Sequence, residues 1–198
     1  MKTQKGFTLL ELMVTVSIVG IVLSFAGPSV RDMINNAELK SGFRNISSAL
    51  SLARSEAVNR QGAVSVCPTS NRTSCGSSWA AGFMVFRDVN ENGVLDTTDT
   101  SIRVFDALGE GVSLTRTMTN GSTTRAYVRY TESAVLLSDL DAGNFVMCDS
   151  RGAIQAKAIV INATGQLRSA TDTTGNGIVE ISVTNSAGNI IAQDATCP

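Results

Sequence analysis

The apolar positions of this 198-residue chain change their spacing once, near Gly62. From Leu12 to Val30 there is no charged residue. As a helix rising about 1.5 Å per residue, that run spans roughly 28 Å, enough to cross the hydrocarbon core of a bilayer. The helical period continues past it. Met33, Ile34, Ala37, Phe43, Ile46, Leu50, Ala53 and Ala57 recur at mostly three- and four-residue intervals, the stripe of an amphipathic helix. One helix of about 55 residues is therefore expected, from Phe7 to near Gln61, with Gly62 as its C-cap and Pro28 and Gly20 as points where it loosens.

Beyond Gly62, short runs rich in Val, Ile, Phe and Tyr alternate with Gly, Ser, Thr and Asn, which predicts β-structure. Strands are expected at 63–67, 83–87, 102–106, 112–115, 125–130, 144–148, 157–163 and 178–184, with a short last one at 189–192. The connections are too short for helical crossovers, so pairing should be mostly antiparallel. Residues 120–124 and 169–177 read as exposed loops. The expected fold class is α+β: a long N-terminal helix, its first half of membrane-spanning character (7–30) and its second half amphipathic (31–62), packed on a mostly antiparallel β-rich head (63–198). The core should form where the sheet meets Phe43, Ile46, Leu50 and Ala53.

Composition narrows the function classes. Sixteen Lys and Arg against 17 Asp and Glu give a net charge of −1, which argues against a strongly basic nucleic-acid protein. No His is present, which disfavours His-based metal sites and Ser–His or Cys–His hydrolases. There is no nucleophile elbow and no Gly-rich loop after a strand, so the chain is read as a non-enzyme. Four cysteines, Cys67, Cys75, Cys148 and Cys197, all follow the apolar run; if that run spans a membrane, they are expected beyond it, in an oxidising compartment. Of the three possible pairings, Cys67–Cys75 with Cys148–Cys197 is favoured, because the others entangle a local loop with the chain end. Cys67 and Cys75 as half of a zinc site have no CxxC spacing and no His to support them.

The acid Glu11 stands at the edge of the uncharged run, among Phe7, Leu9, Leu10 and Leu12. A charge at membrane depth costs at least about 2.5–3.5 kcal/mol and needs a partner. The stretch KGFTLLELMVTVSIVGIV carries a resemblance here. Lys5, Gly6, Phe7, Thr8, Leu9 and Glu11 are similar to the class III signal of type IV prepilins and type II secretion pseudopilins, and Pro28 falls where pilins carry a helix-loosening proline. The resemblance implies a leader at 1–6, cleavage between Gly6 and Phe7 by a prepilin peptidase, methylation of Phe7, and Glu11 as fifth residue of the mature chain. It also implies an inner-membrane protein with a periplasmic head that later enters a filament with other major and minor pilins. Glu11 of one subunit would then meet the Phe7 amine of its neighbour. Loss of Lys2 and Lys5 takes the 16 basic residues to 14 against 17 acidic, a formal charge of −3.

The head carries a looser resemblance. LARSEAVNRQ, then Trp79, Gly82, Phe83, Val85, Phe86, Asp88, Asn90, Asn92 and Gly93, then Val160–Arg168, are similar to minor pilins of the FimT and FimU kind and to the GspH pseudopilin. This implies a subunit that initiates or caps a type IV pilus, or the equivalent in a type II secretion machine. The FimT branch is linked to DNA uptake through Gly-Arg-x-Arg; here the stretch is Gly165-Gln166-Leu167-Arg168, with Gln in place of the first Arg. Weak DNA binding would draw on Arg116, Arg125, Arg129, Arg151 and Arg168, with Arg129 and Arg168 foremost.

Asp88 to Asp99 has the spacing of an EF-hand loop. Asp88, Asn90, Asn92, Asp96 and Asp99 offer side-chain oxygens, Val94 a carbonyl, and Gly93 the sharp turn, which makes calcium the one candidate cofactor. Strands, not helices, are expected on its flanks, and an Asx-rich hairpin turn is the simpler reading.

Overall fold

A computed structural model describes residues 6–119, 126–184 and 189–197, and of 25–28 the backbone alone. Leader residues 1–5, Arg125 and the expected loop at 120–124 lie outside the described residues. The chain divides into two compact units, Met1–Ala37 and Glu38–Pro198.

A single helix, α1 (Leu9–Arg60, 52 residues), belongs to both units and is continuous through Gly20 and Pro28. Thr8 starts it. Its hydroxyl oxygen accepts the Glu11 amide at 3.2 Å, and Thr8-Leu9-Leu10-Glu11 has the spacing of a capping box. Glu11 thus sits in the first turn, where the helix dipole favours a carboxylate. In the first unit, the side chains from Phe7 to Ser24 are exposed. The hydroxyls of Thr15, Ser17 and Ser24 donate to carbonyls of their own helix, those of Leu12, Met13 and Ile21. That satisfies them without water, as a lipid environment requires.

The helix ends differently from expectation. Gln61, at φ 49°, takes the left-handed position, and its amide donates to Val58. Gly62 follows it, its amide donating to the Ala57 carbonyl at 3.2 Å. This is the paired bonding of a Schellman end, with Gly62 one place beyond the left-handed residue.

Among the described residues, the second unit holds ten strands: β1 (Val64–Pro68), β2 (Phe83–Arg87), β3 (Thr100–Phe105), β4 (Ser113–Met118), β5 (Val128–Tyr130), β6 (Gly143–Cys148), β7 (Lys157–Ile161), β8 (Leu167–Ser169), β9 (Glu180–Thr184) and β10 (Ile190–Asp194). They form two four-stranded sheets, ordered β3-β2-β1-β5 and β4-β6-β7-β8, and a β9–β10 hairpin. Every strand pairing is antiparallel. The expected single sheet is thus two. The expected strand 157–163 stops at Ile161, where Asn162 turns the chain back into β8, which the hydrophobic pattern does not predict. The Asn162 side chain accepts the Gln166 amide at 2.8 Å, and its carbonyl accepts that of Gly165.

The main core lies between α1 and both sheets. Leu39, Ile46, Ala49, Leu50, Ala53 and Ala57 of the helix pack with Val64, Phe83, Tyr130, Phe145 and Ile159, while Phe43 is only partly buried. Trp79 meets the Phe145 ring edge-on at 4.7 Å between centroids. Gly143 has no room for a side chain, since a Cβ there would overlap the Thr117 carbonyl oxygen of the paired strand. The β9–β10 hairpin covers the second sheet: Ile181 and Ala195 pack with Val146, Ala158 and Val160. Asn144 fixes its register, donating to the Ser182 carbonyl at 2.7 Å and accepting the Ser182 amide at 3.1 Å.

Candidate assembly site

Gly6, Phe7 and Thr8 precede the helix, are not helical, and are exposed; Phe7 is 84% exposed. The Gly6–Phe7 bond is therefore accessible and non-helical. Glu11 projects from the first helical turn between exposed Leu10 and Leu12. Among the described residues its carboxylate makes no hydrogen bond or ion pair. The chemistry available here is simple. Cleavage of the bond after Gly6 would yield an amine on Phe7, four residues before an unanswered carboxylate, on a helical stretch whose apolar side chains are exposed from Leu9 to Leu23.

The head sites turn inward. Cys67 is bonded to Cys75 and Cys148 to Cys197, the pairing favoured by the sequence. In the 88–99 loop, buried Asp88 accepts the Ser65 hydroxyl at 2.6 Å and the amides of Asn92 and Gly93 at 3.1 and 2.8 Å. Asp99 accepts the amides of Val89 and Asp96. The side-chain oxygens of Asn90 and Asn92 take the amides of Asn92 and Val94, while their amide nitrogens donate to Asp96. Bonds from the hydroxyl and amide of Thr98, then from Asn90, hold the Asp96 carboxyl below the usual range. The side-chain oxygens proposed for calcium are therefore engaged, by partners within the loop and, at Asp88, also by the Ser65 hydroxyl. No group of three or more His, Cys, Asp or Glu is placed to hold a metal ion among the described residues. Gly93, at φ 77°, leaves the space that the Tyr127 ring occupies.

The candidate DNA-contacting arginines do not form one basic face. Arg129 donates its Nε–H to buried Asp141 at 3.1 Å and its Nη1–H to the Glu91 carbonyl at 2.6 Å, and stacks over Tyr127. Arg116 is buried and donates to the Asp141 carbonyl at 2.9 Å. Arg151 forks onto Asp149. Arg168 alone of the described four is exposed, on β8. From the sequence, Asp139 and Asp141 could be proposed as paired carboxylates, though SDLDAG reads more simply as a polar turn, and nothing local signals that its second acid is buried.

The family model described as type II transport protein GspH matches residues 43–165, and that of the prokaryotic N-terminal methylation motif matches residues 1–27. A fimbrial protein of Moraxella nonliquefaciens is 44% identical over 43 residues, 22% of this chain and 28% of that protein, so the match spans little more than a quarter of that relative. Fimbrial protein EcpC of Eikenella corrodens is 29% identical over 126 residues, 61% of this chain and 80% of that one. The crystal structure of the type IV minor pilin FimU of Pseudomonas aeruginosa superposes with a TM-score of 0.53 at 17% identity, covering 70% of this chain and 92% of that one, which speaks to fold. With the first model spanning more than half of its length and the methylation motif at its start, the chain belongs to the family of the type II transport protein GspH and carries a prokaryotic N-terminal methylation motif.

Proposed function

We propose that this protein is a minor pilin that initiates or caps type IV pilus assembly. It is made as an inner-membrane prepilin with its head in the periplasm. Prepilin peptidase cuts it between Gly6 and Phe7 and methylates Phe7, and it joins the filament when its Glu11 pairs with the terminal amine of an adjacent subunit. Pilins and pseudopilins are structural proteins, and the chain's work is assembly rather than catalysis.

The unanswered Glu11 carboxylate on a bare apolar helix carries this reading. In lipid such a charge is unfavourable until a cation reaches it, so pairing favours the filament over the isolated membrane state. The deciding experiment is Glu11→Val in the full chain. The expected result is normal membrane insertion and leader cleavage by mass spectrometry, with the protein missing from sheared filaments. Wild-type abundance in the filaments would overturn the reading.

The match to the GspH model favours a second reading, a pseudopilin of a type II secretion system with the same assembly chemistry. Deletion of the gene separates the two: loss of surface pili supports the first, loss of protein export with intact pili the second. A contribution to DNA uptake rests on exposed Arg168, and Arg168→Gln in a salt-dependent shift assay tests it.

A further inference from the structure

On the head, α1 and β7 bring three cations to one cleft of about 230 Å³. Lys40, Arg44 and Lys157 line it, over a floor of Phe43, Ala158 and Ala170. Lys40 and Arg44 are exposed and one helical turn apart, and Lys157 is half-buried. None of the three side chains makes an ion pair or hydrogen bond among the described residues. Like charges four apart on a helix repel, and a third cation across the cleft adds to the repulsion. The acid next in sequence to the cleft, Glu180, faces away from this role: its carboxylate accepts the amides of Thr173 and Thr174 at 2.7 and 3.1 Å.

The distribution of lysine points the same way. The chain has four, Lys2, Lys5, Lys40 and Lys157. Two precede the Gly6–Phe7 bond. The two left after cleavage both line this cleft.

We propose that the cleft receives the carboxylate of an Asp or Glu side chain from a neighbouring filament subunit. The proposal rests on the reading of the chain as a filament subunit and names the chemistry its neighbour brings. The space admits a carboxylate side chain, its stem on Phe43 and the alanines, its charge among the ammonium and guanidinium groups that line the cleft. A processed chain with formal charge −3 does not draw in a polyanion at long range, which favours a single side chain over nucleic acid. Docking converts mutual repulsion among three cations into attraction, so the site rewards assembly.

The test uses the full chain in cells. Sheared filaments are treated with a water-soluble carbodiimide, which joins a lysine amine to a carboxylate in contact with it. The expected product is an amide cross-link from Lys40 or Lys157 to an acid of another subunit, located by peptide mass spectrometry. Lys40→Arg/Lys157→Arg keeps the charge and should enter filaments normally while losing the cross-link. Lys40→Glu/Arg44→Glu/Lys157→Glu should be inserted and cleaved normally, yet fall roughly tenfold in filament content. Wild-type filament content in this triple variant, or wild-type filaments that give no such cross-link, overturns the proposal. If the triple variant enters filaments normally but loses binding to duplex DNA or to phosphatidylglycerol vesicles, the cleft serves that anion and the proposal also fails. In each case continued exclusion of Glu11→Val leaves the assembly reading standing.

Discussion

Arg129 donates its Nε–H to the carboxylate of Asp141 at 3.1 Å, and Asp141 is fully buried. Position 129 therefore holds the head together by answering an interior charge. Breaking such a pair from one side costs about 3–5 kcal/mol, and position 129, itself only partly buried, puts the cost near the lower end. Arg129→Gln in the full chain in detergent is expected to lower unfolding stability by about 3 kcal/mol. An unchanged urea midpoint would show that Asp141 does not depend on Arg129. The same variant is a poor probe of DNA contact, because any lost binding would report a loosened head.

The two disulfides should differ in weight. Cys148–Cys197 closes 49 residues of separation and Cys67–Cys75 only 8. In the chain-entropy account the longer loop contributes about 4 kcal/mol and the shorter one distinctly less. Cys148→Ser/Cys197→Ser is expected to depress the melting temperature more than Cys67→Ser/Cys75→Ser. The reverse order in thermal melts would show that the short loop carries structure of its own, beyond the entropy of closing it.

Periodicity is a local property, which is why α1 and the position of Glu11 were legible in the sequence, as were most strands of the head. What depended on distant partners was not. β8 is three residues long, and its signal is the hydrogen-bonding capacity of Asn162 rather than a run of apolar residues. Gly62 was expected as the C-cap, but the backbone needs its left-handed residue one place earlier, at Gln61. The inward role of Arg129 requires knowing that Asp141, on a separate turn, is buried. Lys40 and Lys157 stand more than a hundred residues apart, and only the packing of α1 against β7 puts them on one cleft.

Acid should weaken the head through identifiable carboxyls. Bonds from Arg151 hold Asp149 below the usual range, the Gly177 and Gly175 amides do so for Asp172, and the Thr173 amide leads for Glu180. A carboxyl with a lower pKa folded than unfolded stabilises the fold above its unfolded value, and that contribution is lost as pH falls through the folded one. Melting temperature should hold between neutral pH and about pH 5, then fall below about pH 4. Glu180→Gln removes one of these groups, so its melting temperature should drop less than wild type between pH 7 and pH 3. Parallel curves for the two proteins would remove Glu180 from the account.

Asp88 tests whether the 88–99 loop is held by its own hydrogen bonds or by calcium. Its carboxylate takes the Ser65 hydroxyl and two backbone amides, which ties the loop to β1. Asp88→Ala leaves the buried Ser65 hydroxyl and Gly93 amide unanswered, at about 1–3 kcal/mol for each that finds no other partner. If internal bonds do the holding, the variant loses a similar amount of stability in EDTA and in millimolar calcium, and wild type melts at the same temperature in both. A wild-type melting temperature that rises with calcium, with the rise abolished in Asp88→Ala, would instead mean that the oxygens now facing backbone amides turn to a metal ion. The bonding pattern favours the first outcome, since every amide that Asp88 and Asp99 accept comes from the loop itself.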